Sequence, residues 1–247
     1  MKDYFKLAAQ AAVRGAVIGA AAAGTALFVM APGASSRRQR APFMGTNVAH
    51  RGLHSRDKSV PENSLEAFRL AAEAGYGIEL DVQLSKDGQV VVFHDDTLDR
   101  VCGVCARVDE LTLAELKALR LCGTEQTIPL FTEVLDVIRG RGPIICELKD
   151  GKRNREPVSY THLTLPTRFY DAESLSAPLA FALGHTLFNC VARPQFIAYR
   201  IGFRPLSVRI SEFMGAMRVG WTSHEPRNEA GRDTVIFEFY KPKVKFK

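Results

Sequence analysis

The sequence predicts an α/β fold. Its leading form is a (β/α)8 barrel of TIM type, with a doubly wound sheet as the alternative and one transmembrane helix ahead of it. Three observations carry this. Short apolar runs alternate with amphipathic, helix-length segments, the pattern of a parallel sheet covered on both faces. Charged and imidazole side chains end several of these runs, where the active sites of parallel barrels gather. A stretch without charge, Gly15 to Ser36, precedes them all.

That uncharged stretch reads AVIGAAAAGTALFVMA at its centre. As a helix it is just long enough to cross a hydrocarbon core of roughly 30 Å. Residues 1–36 are therefore read as a single-pass membrane anchor. A signal peptide is the rival, with Lys2, Lys6 and Arg14 as its basic region, but Pro32 directly follows the best small-residue cleavage site, after Ala31. Lys2, Lys6 and Arg14 face Arg37, Arg38 and Arg40 across the span, so the positive-inside rule does not orient it. Residues 37–46 read as a linker punctuated by Pro and Gly, and 47–247 as the barrel.

The elements follow in order. NVAHRG is a short strand ending in His50, Arg51 and Gly52. PENSLEAFRLAAEAG is a helix capped by Asn63 or Ser64, with Leu65, Phe68, Leu70 and Ala72 as its apolar contacts and Gly75 as its stop. GIELDVQL and QVVVFHD are strand runs around a Lys-Asp-Gly turn. TLAELKALR and FTEVLDVIRG are amphipathic helices, and PIICELK is another strand. Later, PQFIAYRI, MRVGWTS and DTVIFEFY are strand-like.

Composition narrows the function classes. The chain has 247 residues, 46% of them hydrophobic, enough for a sizeable core. The net charge of +6 is dispersed, and the tail lysines 241, 243, 245 and 247 read as solvated surface. No basic groove with interleaved aromatics accompanies them, so nucleic acid is not an expected partner. Five cysteines, an odd count outside any small disulfide scaffold, point to free thiols and lean toward a cytoplasmic catalytic part. Cys102 and Cys105 form a lone C-x-x-C with no second pair to complete a zinc site.

The strand ends carry the chemistry. Glu79 and Asp81 lie two apart and so share one face of their strand. Glu147 and Lys149 repeat that spacing, while His50, Arg51 and His94 end the neighbouring runs. Carboxylates crowded at one mouth repel unless a cation sits among them. Three such oxygen donors suit a hard divalent ion, Mg²⁺ or Ca²⁺. Arg51 and Lys149 imply an anionic substrate, best a phosphate, and two histidines can serve as base and acid near neutral pH. Together these describe phosphoester hydrolysis.

The segments AHRG, PENSLEAF, IELDVQLSKDGQVVVFHDDTLDR, IPLFTEVLD and ELK resemble the glycerophosphodiester phosphodiesterase family. The likeness runs from Val48 to about Lys152 and resumes near Phe181. It implies a barrel with a small insertion holding VVVFHD, a divalent metal, and hydrolysis of glycerophosphodiesters to an alcohol and sn-glycerol 3-phosphate. By the same resemblance Glu79, Asp81 and Glu147 match metal ligands, and His50 and His94 match the general base and acid. Arg51 and Lys149 match phosphate-binding cations, Glu62 a motif glutamate near the site, and Trp221 an aromatic of the substrate pocket.

The chain departs from that pattern after Lys149. Only about thirty residues separate Lys149 from Phe181, and they show no strand-helix-strand pattern, so roughly two barrel units are expected to be absent. Within them, PVSYTHLTLPT, Pro157 to Thr167, resembles the conceptual translation of a transposase adapter used in DNA library preparation. Residues 156–170 are accordingly read as non-native, and His162 is left out of any site. The competing functional readings are a lysophospholipase D-like lipid hydrolase held at the bilayer, and a non-catalytic or chimeric barrel.

Overall fold

The computed structural model describes residues 2–149, 189 and 193–246. The adapter-like segment and His162 lie outside the described residues. The chain divides into two compact units: Met1–Ala34, His162–Ile197 and Phe203–Ala216 form one, and Ser35–Thr161, Ala198–Gly202 and Met217–Lys247 the other.

In the first unit, helix α1 spans Lys2–Met30. Its part Ala12–Met30 is long and apolar enough to cross a membrane, a property that signal sequences share. Its last carbonyl, of Met30, accepts from Ser211 Oγ at 2.8 Å and from the Asn189 amide at 3.1 Å. A helix end leaves such carbonyls without intrahelical donors, and these two side chains serve one of them.

The second unit holds the functional residues. The stretch read as a linker carries a short helix, α2 (Arg37–Arg40), closed by a Ser36–Gln39 capping box. Strand β1 (Thr46–Ala49) leads to α3 (Leu65–Glu73), β2 (Gly77–Leu84) and β3 (Val90–Val92). Then come α4 (Asp99–Cys102), α5 (Leu113–Lys117), α6 (Phe131–Ile138) and β4 (Ile144–Leu148). Strand β5 (Phe196–Arg200) starts in the first unit, and α7 (Leu206–Phe213) belongs to it. Strands β6 (Met217–Ser223) and β7 (Thr234–Phe237) complete the second.

Among the described residues one seven-stranded sheet results, a curled part-barrel. β1 is flanked by β2 and β7, both parallel to it; β4 lies parallel to β2 on its other side, β6 parallel to β7, and β5 beside β6. β3 departs from the alternating parallel pattern. It runs antiparallel to β2, with Val82 opposite Val92, because the Lys-Asp-Gly turn is too short for a crossover. VVVFHD is thus a hairpin off β2, as the family likeness implies, and not a barrel strand.

The sequence dictates the local choices. Ser64 caps α3, its hydroxyl accepting from the Ala67 N–H, and Gly75 follows the helix at φ +81°. The face α3 buries is Ala67, Phe68, Ala71 and Ala72; Leu65 packs against the core while Leu70 is only half-buried. β2 is buried along nearly its whole length, as a strand covered on both faces must be. Its apolar residues Ile78, Leu80 and Val82 pack with Phe68, Val134, Ile138 and Phe237. A second cluster, including Val91, Phe93, Leu98, Leu116 and Ile128, lies under the β3 hairpin and fixes the segment that carries His94. Cys102 and Cys122 pack against that cluster as free thiols.

The C-terminal lysines 241, 243 and 245 are exposed, yet their backbone is not a loose tail. The Asn47 N–H donates to the Val244 carbonyl, and the Phe246 N–H to Gly45, so the segment pairs along the start of β1.

Phe68 is fully buried at the centre of the first cluster. Phe68→Ala should cost about 3–5 kcal/mol, the transfer and cavity terms together. Urea unfolding checks this; a loss below about 1 kcal/mol would mean that α3 does not seat its phenyl ring there.

Candidate active site

The strand register assembles the acidic face. Asp81 of β2 stands directly opposite Glu147 of β4, and parallel neighbours in register present side chains to the same side. Glu79, two residues earlier, shares that side. Carboxylate oxygens of Glu79, Asp81 and Glu147 lie within 4.8 Å of one another. Glu79 and Asp81 are buried, 3% and 1% exposed, so water does little to separate their charges.

Two cations and one amide enter the cluster. Lys149 Nζ lies 2.6 Å from Glu147 and 2.9 Å from Asp81. Arg51 Nε is 3.4 Å from Asp81, and its backbone N–H donates to Glu79 at 2.9 Å. That N–H is aimed by a tight corner after β1. Arg51 sits at φ +51°, and a Cβ on Gly52, at φ +80°, would lie 2.8 Å from the backbone of Ala67. Asn63, the alternative cap for α3, does something else: its amide donates to Asp81 at 2.8 Å while its backbone N–H donates to the Arg51 carbonyl.

These contacts split the two β2 carboxyls. Burial, then the nearby Asp81 charge, pushes Glu79 well above the usual carboxylate range. Burial is also the strongest single influence on Asp81, but Lys149, His94, Arg51 and Asn63 together outweigh it and hold Asp81 at about 2. Burial likewise opposes the charge on Arg51 and on Lys149; their carboxylate partners overcome it and raise both.

Each histidine is oriented by a carboxylate. His94 Nδ1 lies 2.6 Å from Asp95, which is itself fixed by Arg100 at 2.6 Å. The Gln83 side chain, on β2, donates to the carbonyls of Phe93 and Asp95 and ties this segment down. His50 Nδ1 lies 3.3 Å from Glu238, just past β7, leaving Nε2 3.9 Å from Glu79. The Trp221 ring meets the His50 ring edge-on at 6.0 Å. Glu62 links Arg51, at 2.7 Å, to Arg100, also at 2.7 Å.

All nine residues singled out from the sequence therefore fall in one region of the second unit: His50, Arg51, Glu62, Glu79, Asp81, His94, Glu147, Lys149 and Trp221. Five others join them without having been singled out: His54, Asn63, Asp95, Arg100 and Glu238. Glu238 could have been found, since it lies near the carboxyl end of the DTVIFEFY run, where the strand-end rule applies. Asn63 was read only as a helix cap, and nothing in the spacing marks His54 or Arg100.

Three carboxylates on two adjacent parallel strands, with two cations among them and two histidines near them, could hold a divalent ion and meet an anionic group. Residues 50–161 match the family described as Glycerophosphoryl diester phosphodiesterase family. Over 114 residues it is 41% identical to a glycerophosphodiester phosphodiesterase of Caldanaerobacter subterraneus subsp. tengcongensis, covering 42% of this chain and 45% of the relative. The chain thus spans less than half the length of that curated relative. A crystal structure of glycerophosphodiester phosphodiesterase from Thermotoga maritima superposes with a TM-score of 0.56 at 26% identity, covering 78% of this chain and 94% of that one. An Oleispira antarctica phosphodiesterase, solved in complex with the product sn-glycerol-3-phosphate, shares the fold at TM-score 0.56 and 20% identity, covering 81% and 95%.

Glu62 offers a pH test. Burial pushes its carboxyl up, but Arg100 and Arg51 outweigh this and hold it at about 2, against an ordinary 4.5. A depressed carboxyl stabilises the fold above its unfolded value, and that stability is lost as pH falls from about 4.5 toward 2. The excess stability of the wild type over Glu62→Gln, bounded at about 3 kcal/mol, should shrink across this window. Urea unfolding at stepped pH measures it; a difference independent of pH would contradict the ion-pair chain.

Proposed function

We propose that this chain is a metal-dependent hydrolase of glycerophosphodiesters, releasing an alcohol and sn-glycerol 3-phosphate. One observation carries the reading. Glu79, Asp81 and Glu147 hold their oxygens within 4.8 Å of one another, with Arg51 and Lys149 on them and two carboxylate-oriented histidines, His50 and His94, in the same region. The family segment and its relatives support it.

The donor set fits a hard divalent ion, Mg²⁺ or Ca²⁺: all oxygen, three carboxyls, closely spaced. Glu79, Asp81 and Glu147 would hold the ion, which when bound supplies charge neutralisation at the phosphate. The chain's own residues do the rest. Arg51 and Lys149 bind the phosphate anion, with Glu62 fixing the Arg51 guanidinium. Glu238 holds the Nδ1 side of His50, so that Nε2 can take a proton from the nucleophile: water, or the neighbouring glycerol hydroxyl, whose attack expels the alcohol and leaves a cyclic phosphate that a water then opens to sn-glycerol 3-phosphate. Asp95 holds Nδ1 of His94, which protonates the departing alkoxide. Trp221 walls the pocket beside His50.

A second reading keeps the same chemistry and changes the substrate. Helix α1 is long and apolar enough to act as a single-pass anchor, which would present the site to lysophospholipid headgroups at the bilayer.

Enzymatic detection of sn-glycerol 3-phosphate, from purified chain supplied with glycerophosphodiesters and Mg²⁺ or Ca²⁺, tests the proposal. His94→Ala should lower turnover by about 10²–10⁴ while leaving divalent-ion affinity unchanged. Turnover that survives in this variant, or a folded wild type that releases no product with either ion, would overturn it.

A further inference from the structure

Beside the acidic face lies a second group of donors that the proposed hydrolysis does not use as a unit. His50, His54 and Glu238 each offer one ligand atom, and these atoms lie within 4.8 Å of one another. We propose that His50, His54 and Glu238 form a distinct site for a borderline transition-metal ion, Zn²⁺ above all, and that filling it silences His50.

The donor chemistry separates this site from its neighbour. Glu79, Asp81 and Glu147 are an all-oxygen set; His50, His54 and Glu238 are two imidazoles and one carboxylate. Two nitrogens and one oxygen, with a fourth position left open, are a recurrent zinc set, whereas Mg²⁺ and Ca²⁺ prefer oxygen. Spacing agrees. Ligands at roughly 2.0–2.1 Å from a tetrahedral ion stand about 3.3 Å apart. His50 Nδ1 lies 3.3 Å from one Glu238 oxygen, and His54 Nε2 lies 3.5 Å from the other.

An independent observation points to a ligand. The His54 side chain is 7% exposed, and its Nε2 is buried with no hydrogen-bond partner, although it is directed at Glu238. Buried polar atoms are ordinarily satisfied, and an orphan at this position has the geometry of a waiting ligand. The scaffold is set. The Leu53 N–H donates to the Ala67 carbonyl, the His54 ring packs edge-on against Phe239 at 5.0 Å, and the Glu238 N–H donates to the Ser223 carbonyl.

The consequence follows from which imidazole nitrogen is used. Glu238 meets Nδ1 of His50, and Nε2 faces Glu79. An ion on Nδ1 leaves the ring proton on Nε2, so this nitrogen can no longer accept one. The ion site stands on its own geometry; the silencing rests on the hydrolase reading.

Cobalt(II) as a spectroscopic stand-in for Zn²⁺ tests the two separately. Titration of the full chain, with Mg²⁺ saturating the acidic face, should give one equivalent of Co²⁺ with the intense visible bands of a tetrahedral site, displaced by Zn²⁺. His54→Ala and Glu238→Gln, checked for folding by circular dichroism, should each lose those bands, while Glu147→Gln keeps them. In activity assays Zn²⁺ should inhibit the wild type at least tenfold more strongly than His54→Ala. Bands that persist in both folded variants, or that vanish only in Glu147→Gln, would overturn the site. Tetrahedral binding without inhibition would keep the site and overturn the silencing of His50.

Discussion

Three carboxylates on one face of two adjacent parallel strands are the constraint on which the rest of the site depends. Like charges this close, in a setting drier than water, cannot all ionise without compensation. The chain's own compensation is uneven. Asp81 receives Lys149, Arg51 and Asn63 and stays charged, while Glu79, reached by one backbone N–H and farther charges, is pushed toward its neutral form. On the reading proposed above, this imbalance is what a bound divalent cation would relieve.

Much of the surrounding structure serves that arrangement. The corner at Arg51 and Gly52 exists to aim one N–H at Glu79 and one guanidinium at Asp81. The segment that precedes α3 divides its labour: Glu62 fixes Arg51, Asn63 braces Asp81, and Ser64 caps the helix. The β3 hairpin carries its own small core, which presents His94 and Asp95 next to β2 and not at the end of a barrel strand. One histidine thereby reaches the acidic face by way of β1 and the other by way of the hairpin.

Much of this was legible in the sequence because strand periodicity is rigid. Two residues apart on a strand means the same face, so Glu79 with Asp81 and Glu147 with Lys149 could be paired before any coordinates. The β2/β4 register that sets Asp81 against Glu147 could not, since pairing partners are chosen by tertiary packing. The antiparallel course of β3, by contrast, was within reach of the sequence, because the short Lys-Asp-Gly turn leaves no room for a crossover. His54 and Arg100 were invisible because their roles depend on side chains brought in from distant segments, Glu238 for one and Glu62 for the other. Leu70 was overrated as a core residue, since hydrophobicity alone does not say which side of α3 faces the sheet.

The central claim is that Glu79, Asp81 and Glu147 form a divalent-ion site. Calorimetric titration of the chain with Mg²⁺ or Ca²⁺, repeated at stepped pH, measures the binding, since a carboxyl held above its usual range must lose its proton to bind. One ion bound, more weakly as pH falls, and bound far more weakly by folded Glu79→Gln, is the predicted result. No binding by the folded chain, or binding that Glu79→Gln leaves unchanged, would contradict it.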